Sequence, residues 1–323
     1  MKFQITIILI FFSSLFGFSQ IGPNDDAVFL DSLNNIGTEE NYKFIRVIKD
    51  FAEEKELYDV AFYSRSGKIE RRAQTTNKFF MAFEGPCVYY YENGNRKKME
   101  TYSDKKINGK QYEWYENGSI KLESEVVHDK KTNNSTTKII HYWNANNEQK
   151  VIDGEGEYEE IEEIPLNSSE KSIIKSKGVI KNYVKDGVWN TSYSMSKQTT
   201  KETYRNGIFI SGITVDENGN EHPYSVMEEK PKPIKGMGHF YDFIGRNYNT
   251  PQVAGLKGKI YISFIVEKDG KLTEIKVIKD IGYGTGAEAI RVLTKYENWL
   301  PAKQRGVPVR VMYSLPITIQ SSY

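Results

Sequence analysis

The chain has 323 residues, of which 38% are apolar, 27% charged and 13% aromatic, a composition too apolar and too aromatic for a disordered protein. The formal net charge of +1 excludes a strongly basic protein that recruits nucleic acid through its overall charge. A single cysteine, Cys87, excludes an intramolecular disulfide framework and a zinc site made of cysteines alone.

The N-terminus has the pattern of a targeting signal. Lys2 precedes an apolar stretch over residues 5–18, and the small residues Gly17 and Ser19 stand at positions −3 and −1 of a cleavage site before Gln20. This pattern predicts a secretory signal peptide over residues 1–19 and a periplasmic or secreted mature protein. The alternative is an uncleaved anchor that leaves the protein on the inner membrane, facing the periplasm. A membrane-spanning helix needs about 20 apolar residues, and the stretch over residues 5–18 is shorter than that.

Residues 20–57 contain one apolar pattern with helical spacing. It predicts a helix over residues 41–57 that packs against the next domain. The apolar positions are Phe44, Ile45, Val47, Ile48, Phe51 and Ala52.

Residues 58–225 contain an internal repeat of short hairpins. The segment Tyr91-Glu-Asn-Gly94 recurs as Tyr115-Glu-Asn-Gly118, at an offset of 24 residues that also aligns their flanks. Asn-Gly and Asp-Gly dipeptides accept positive φ at both central positions of a type I′ turn, so we predict antiparallel β-hairpins. Since one hairpin is marginally stable, the copies are expected to share an elongated sheet.

This repeat resembles the MORN-type repeat, in the variant found in exported bacterial proteins and in some proteins labelled as antitoxins. The resemblance implies a scaffold role for residues 58–225. The stretch that follows, residues 226–236, is charged and contains Pro231 and Pro233, which predicts a short linker.

Residues 237–323 form a second domain by their hydrophobic pattern. A helix over 239–248 is followed by strands over 260–266 and 272–278, a helix over 287–298 and a last strand over 309–319. The order is α-β-β-α-β. With the repeats, it predicts an α+β protein composed of an N-terminal helix, an elongated antiparallel hairpin domain and a small C-terminal domain.

Four segments of this domain form a recognisable pattern: Phe240-Tyr-Asp-Phe-Ile244, Gly258-Lys-Ile-Tyr-Ile-Ser-Phe-Ile-Val266, Trp299-Leu-Pro-Ala302 and Leu315-Pro316-Ile317. In these segments the domain resembles the C-terminal domain of TonB-family energy transducers. Where that family has Tyr-Pro after the first helix, this chain has Thr250-Pro251. The resemblance implies that an exposed edge strand pairs with an extended peptide of an outer-membrane transporter or another envelope protein.

The last strand is the candidate edge for this pairing. Its alternate side chains would set specificity, with Arg310, Met312, Ser314 and Thr318 on the face opposite Val311 and Tyr313. The predicted partner-binding residues are Val309, Arg310, Val311, Met312, Tyr313, Ser314, Leu315, Ile317 and Thr318.

The sequence contains no pattern typical of a catalytic, metal or cofactor site. Its four histidines, at 128, 141, 222 and 239, have no metal-ligand spacing. We therefore expect a non-catalytic binding protein of the envelope that needs no cofactor. Two alternatives stay open: an energy transducer of TonB-dependent transport with an uncleaved anchor, and a module that is purely structural or that dimerises as a homodimer.

Overall fold

The structure, a computed structural model, describes residues 21–32, 34–165, 170–296 and 299–321. The predicted signal peptide at residues 1–19 lies outside the described residues. The chain divides into two compact units. Unit 1 contains the described residues up to Glu159 and Gly178–Asp186, and unit 2 contains Glu160–Lys177 and Gly187–Tyr323 as far as they are described.

Most of the chain before residue 236 is β structure. The strands described there are β1 (Asp26–Leu30), β2 (Phe44–Ile48), β3 (Tyr58–Ser64), β4 (Ile69–Thr75), β5 (Phe83–Tyr90), β6 (Arg96–Ser103), β7 (Lys106–Ile107), β8 (Gly109–Trp114), β9 (Ile120–Asp129), β10 (Asn134–Trp143), β11 (Gln149–Ile152), β12 (Glu155–Pro165), β13 (Lys171–Lys181), β14 (Val184–Tyr193), β15 (Thr199–Arg205), β16 (Ile208–Val215), β17 (Glu221–Tyr224), β18 (Glu228–Glu229) and β19 (Lys232–Pro233).

The rest of the chain contains both described helices and six strands. These are α1 (Gly236–Asn247), β20 (Lys257–Val266), β21 (Leu272–Lys279), α2 (Thr285–Thr294), β22 (Trp299–Leu300), β23 (Ala302–Gln304), β24 (Val307–Val309) and β25 (Val311–Gln320).

In unit 1, the strands form an antiparallel meander. Each strand from β1 to β6 pairs with the next, β6 pairs with both β7 and β8, and the series continues from β8 to β11. In unit 2, β14, β15, β16 and β17 pair in the same consecutive way. The predicted antiparallel hairpins are therefore confirmed.

The turns between these strands are of two kinds. Asn206-Gly207 has positive φ at both residues, as a type I′ turn requires. At Asn93-Gly94 only the glycine has a positive φ, and Tyr91 N–H donates to Asn95 O across the turn. The hairpins therefore do not all have a type I′ turn, because a three-residue loop with one left-handed glycine also suits the Asn-Gly dipeptide.

The tyrosines of the 24-residue repeat connect successive hairpins. Tyr91 OH donates to Trp114 O at 2.9 Å, and Tyr115 OH donates to Trp143 O at the same distance. The repeated sequence therefore repeats a contact as well as a strand, because each tyrosine satisfies a backbone carbonyl at the end of a later strand.

The predicted helix over residues 41–57 was wrong, because residues 44–48 form strand β2. Phe44, Ile45, Val47 and Ile48 fit a strand as well as one helical turn, and the β-branched residues among them favour the strand. Strand β2 pairs with β1 on one side and with β3 on the other. This placement buries Val47 and Ile48, both almost fully, within unit 1.

The core of unit 1 includes the single cysteine. Cys87 is fully buried beside Val60, Phe62 and Ala73, and it is a free thiol. Burial raises the pKa of this thiol, so Cys87 has the environment of a packing residue and not of a nucleophile.

The C-terminal domain has the predicted order of two helices and three main strands. Strands β21, β20 and β25 form an antiparallel sheet in that order, and α1 and α2 supply core residues that pack with it. The largest buried side chains of this core are Phe240, Ile260, Ile262, Phe264, Leu293, Trp299 and Leu315.

Three short strands lie between α2 and β25, where the sequence predicted a longer helix and an earlier start of the last strand. Helix α2 ends at Thr294 and not at residue 298, and β25 begins at Val311 and not at Val309. The reason is the turn at Arg305-Gly306, where both residues have positive φ, so that β23 and β24 form a hairpin of their own.

The segment predicted as a linker also contains paired strands. β18 pairs with β23, and β19 pairs with β22. The backbone of residues 228–233 is thus hydrogen-bonded to the C-terminal domain at two places.

Candidate partner-binding edge

Strand β25 lies at the edge of its sheet. It pairs with β20 along its whole length, from Val311 opposite Val266 to Gln320 opposite Lys257. In the part of the chain that the structure describes, no second strand pairs with the other side of β25. Backbone groups on such an edge are able to bond to an added strand.

The two faces of β25 differ strongly in burial. Leu315 and Ile317 are buried in the core, and Val311 and Tyr313 pack against it. Met312 is 67% exposed on the opposite face, where Ser314 and Thr318 are also exposed. This alternation is the one that the sequence predicted for the strand.

Pro316 indicates which backbone groups of β25 point outward. Proline has no N–H to donate, so within a sheet it suits an edge position whose N–H side faces solvent. Pro316 lies opposite Tyr261 without a register shift in the ladder. Because the backbone direction alternates along an antiparallel strand, Met312 and Ser314, which have the same parity as Pro316, present their N–H and C=O groups at the outer edge.

Arg310 fixes the start of β25. Its guanidinium lies 3.0 Å from Glu267 Oε1 and also pairs with Glu274. A hydrogen bond from Thr273 and then the one from Arg310 lower the pKa of Glu267, and Arg310 is the main cause of the lowered pKa of Glu274. Neither carboxylate was predicted from sequence, although Glu267 directly precedes the charged turn at residues 268–271.

The predicted site residues lie on two elements. Val309 ends β24, where it pairs with Ala302, and Arg310 follows it as the connection to β25. The other seven predicted residues all lie in β25.

The histidines that are hydrogen-bonded to carboxylates lie far from β25 in sequence. In unit 1, His141 Nδ1 lies 3.0 Å from Glu123 and its Nε2 lies 3.1 Å from Asp153. The hydrogen bonds to Glu123 and then Asp153 raise the pKa of His141. These contacts connect β9, β10 and the turn after β11. Within residues 21–32, 34–165, 170–296 and 299–321, no three His, Cys, Asp or Glu side chains are placed to hold a metal ion.

The similarity to a known protein family lies in the C-terminal domain. Residues 252–318 match the family model described as Gram-negative bacterial TonB protein C-terminal. The matched range contains the β21-β20-β25 sheet except for the last residues of β25, so the C-terminal domain is similar to the TonB C-terminal domain. No curated protein and no solved structure matched the chain. Among the described residues, neither helix has the length and apolar character to cross a bilayer.

Proposed function

We propose that this protein is a non-catalytic binding protein of the bacterial envelope, in which the TonB-like domain captures an extended peptide by adding it as a strand to β25. The peptide would belong to an outer-membrane protein or to another envelope protein. The hairpins of residues 58–225, with their resemblance to MORN repeats, would serve as the scaffold. The predicted signal peptide would deliver the chain to the periplasm.

The observation that carries this proposal is the edge position of β25. Ten residues of β25 are paired on one side only in the described chain, and the match to the TonB family spans most of them. An added strand would gain backbone hydrogen bonds at the outer edge and would place alternate side chains beside Met312 and Ser314.

Photo-crosslinking in the bacterial cell tests the proposal. A benzoyl-phenylalanine at Ser314 would be placed on the outer edge of β25, and a matched control would carry it at Tyr241, which is 49% exposed on α1. We expect an adduct from position 314 with an extended segment of an envelope protein, and no such adduct from position 241.

The variant Met312→Pro distinguishes strand addition from other contacts. Because the N–H of Met312 points to the outer edge, proline at this position removes a donor to the partner and leaves the ladder with β20 intact. The adduct at 314 should disappear while the unfolding midpoint stays close to that of the parent. An adduct that persists in this variant, or that joins two copies of the chain, contradicts peptide capture, and the second result supports a dimerising module.

A further inference from the structure

A buried carboxylate lies in the last hairpins before the C-terminal domain. Glu202 on β15 has a side chain that is only 5% exposed. Tyr224 OH donates to its Oε1 at 2.7 Å, and Tyr204 OH donates to its Oε2 at 2.8 Å. Burial opposes the ionisation of Glu202, but these bonds and one from Arg305 outweigh it, so the pKa of Glu202 is lowered.

The cation that pairs with Glu202 comes from the C-terminal domain. Arg305 Nε lies 2.8 Å from Glu202 Oε1, although 103 residues separate the two in sequence. The backbone of Arg305 is held as well. Its C=O accepts a 2.7 Å bond from the buried Thr214 hydroxyl, and its N–H donates to Met227 O at 2.7 Å.

The turn that carries Arg305 is unusual for its sequence. Arg305 has φ of 48° and Gly306 has φ of 79°, nearly the values of the Asn206-Gly207 turn, which are 50° and 78°. Asparagine is far better suited than arginine to a positive φ. The presence of arginine here indicates that its guanidinium compensates for an unfavourable backbone conformation.

The glycine of this turn is also adapted to the contact. A Cβ at Gly306 would lie 2.8 Å from the carbonyl oxygen of His222, which is part of β17. The turn therefore lies against the backbone of the last hairpin strand at a distance that only glycine permits.

We infer that the β23–β24 hairpin of the C-terminal domain caps the repeat array: Arg305 neutralises the buried carboxylate of the last hairpins, and the two parts of unit 2 unfold as one cooperative body. The cap also fixes the start of β25, which follows β24 after one residue. Repeat proteins need such a cap because their terminal repeat otherwise lacks a neighbour. The inference stands whether or not β25 binds a peptide.

The variant Arg305→Asn tests the cap, because a role of Arg305 in the turn alone and a role as a cap predict different changes in stability. If Arg305 served the turn alone, asparagine would leave stability unchanged or raise it, since Asn-Gly is the preferred dipeptide. If Arg305 caps the array, the buried Glu202 loses its cation. Amide hydrogen exchange in β15, β16 and β17 of the full chain should then accelerate on the order of 100-fold.

Asn206→Arg is the matched control. It places arginine in a second turn with nearly the same φ angles, and it measures the effect of arginine on that backbone conformation. We expect a small loss of stability in the β15–β16 hairpin that leaves exchange in β20 and β25 unaltered. Unchanged or slower exchange in β15 to β17 of Arg305→Asn would overturn the inference, as would faster exchange confined to β23 and β24.

Discussion

Glu100 in unit 1 and Glu202 in unit 2 begin the same tripeptide, Glu-Thr-Tyr, and have similar surroundings. Each side chain is at most 10% exposed. Each accepts a hydrogen bond from the tyrosine two residues later, Tyr102 or Tyr204. A second tyrosine on a different strand donates to each carboxylate as well.

The two sites differ in the source of the positive charge. Lys98, two residues before Glu100 on the same strand, lies 2.8 Å from it. Glu202 is paired with Arg305, which lies in another domain. A hairpin within the array thus supplies its own counter-ion, whereas the last hairpins obtain theirs from the domain that follows. The comparison shows how a series of antiparallel hairpins is joined to a different fold without leaving a buried charge unpaired.

The largest expected effect comes from neutralising each carboxylate in turn. Glu202→Gln should lower the free energy of unfolding by about 3 kcal/mol, because Arg305 is held in place by its backbone bonds and loses its carboxylate. Glu100→Gln should cost about 1 kcal/mol, since the flexible Lys98 side chain, 40% exposed, can turn to water. Urea unfolding of both variants measures the difference, and equal losses would remove the distinction between the two sites.

The tyrosine bonds should show the same order with a smaller effect. Tyr224→Phe deletes a 2.7 Å bond to Glu202, and Tyr89→Phe deletes a 3.1 Å bond to Glu100. Because each carboxylate keeps its other tyrosine and its cation, we expect losses within the range of about 0.5–1.5 kcal/mol for one hydrogen bond, near the upper value for Tyr224→Phe and near the lower value for Tyr89→Phe. Thermal unfolding of the two variants, with Tyr241→Phe as an exposed control, checks this order. A larger loss for Tyr89→Phe would contradict it.

The smallest expected effect is a loss of stability at acid pH. The folded-state pKa of Glu202 lies below its ordinary value of 4.5, so its stabilising contribution is complete above that pH and is lost as the pH falls through the folded pKa. Protection of the amides of β15 to β17, measured as the exchange rate relative to the intrinsic rate at the same pH, should therefore fall below pH 4.5. Glu202→Gln should lack this part of the acid response, and a variant that retains all of it would show that another group titrates.

The hydrophobic period was sufficient to predict the order of elements where strands and helices were long. The alternation over 260–266 and 309–319 predicted β20 and β25, and the turn dipeptides predicted the hairpins. The five residues of β2 were too few to separate a strand from a helical turn, and pairing with β1 and β3 decided the outcome. The hydrophobic period of a short segment does not indicate which other strands that segment will pair with.

The Glu202–Arg305 pair could not be predicted from local sequence patterns, and the reason is a different one. A contact between residues so far apart leaves no spacing pattern. One signal was nevertheless present, because Glu-Thr-Tyr occurs at 100–102 and again at 202–204. In the first copy a lysine precedes the glutamate by two positions, and in the second that position is occupied by Thr200, so the second copy lacks a lysine two residues earlier on the same face of the strand.

The long span between Glu202 and Arg305 also sets an order of folding. Tyr89 and Glu100, which meet across one hairpin, are 11 residues apart. Such a local contact can form before the C-terminal residues have been synthesised. The last hairpins cannot finish until residue 305 has appeared, and the search for it carries the entropy of closing a loop of 103 residues. During that interval β15 to β17 are the slowest part of the array to mature, and there a chaperone or a protease has the longest time to act.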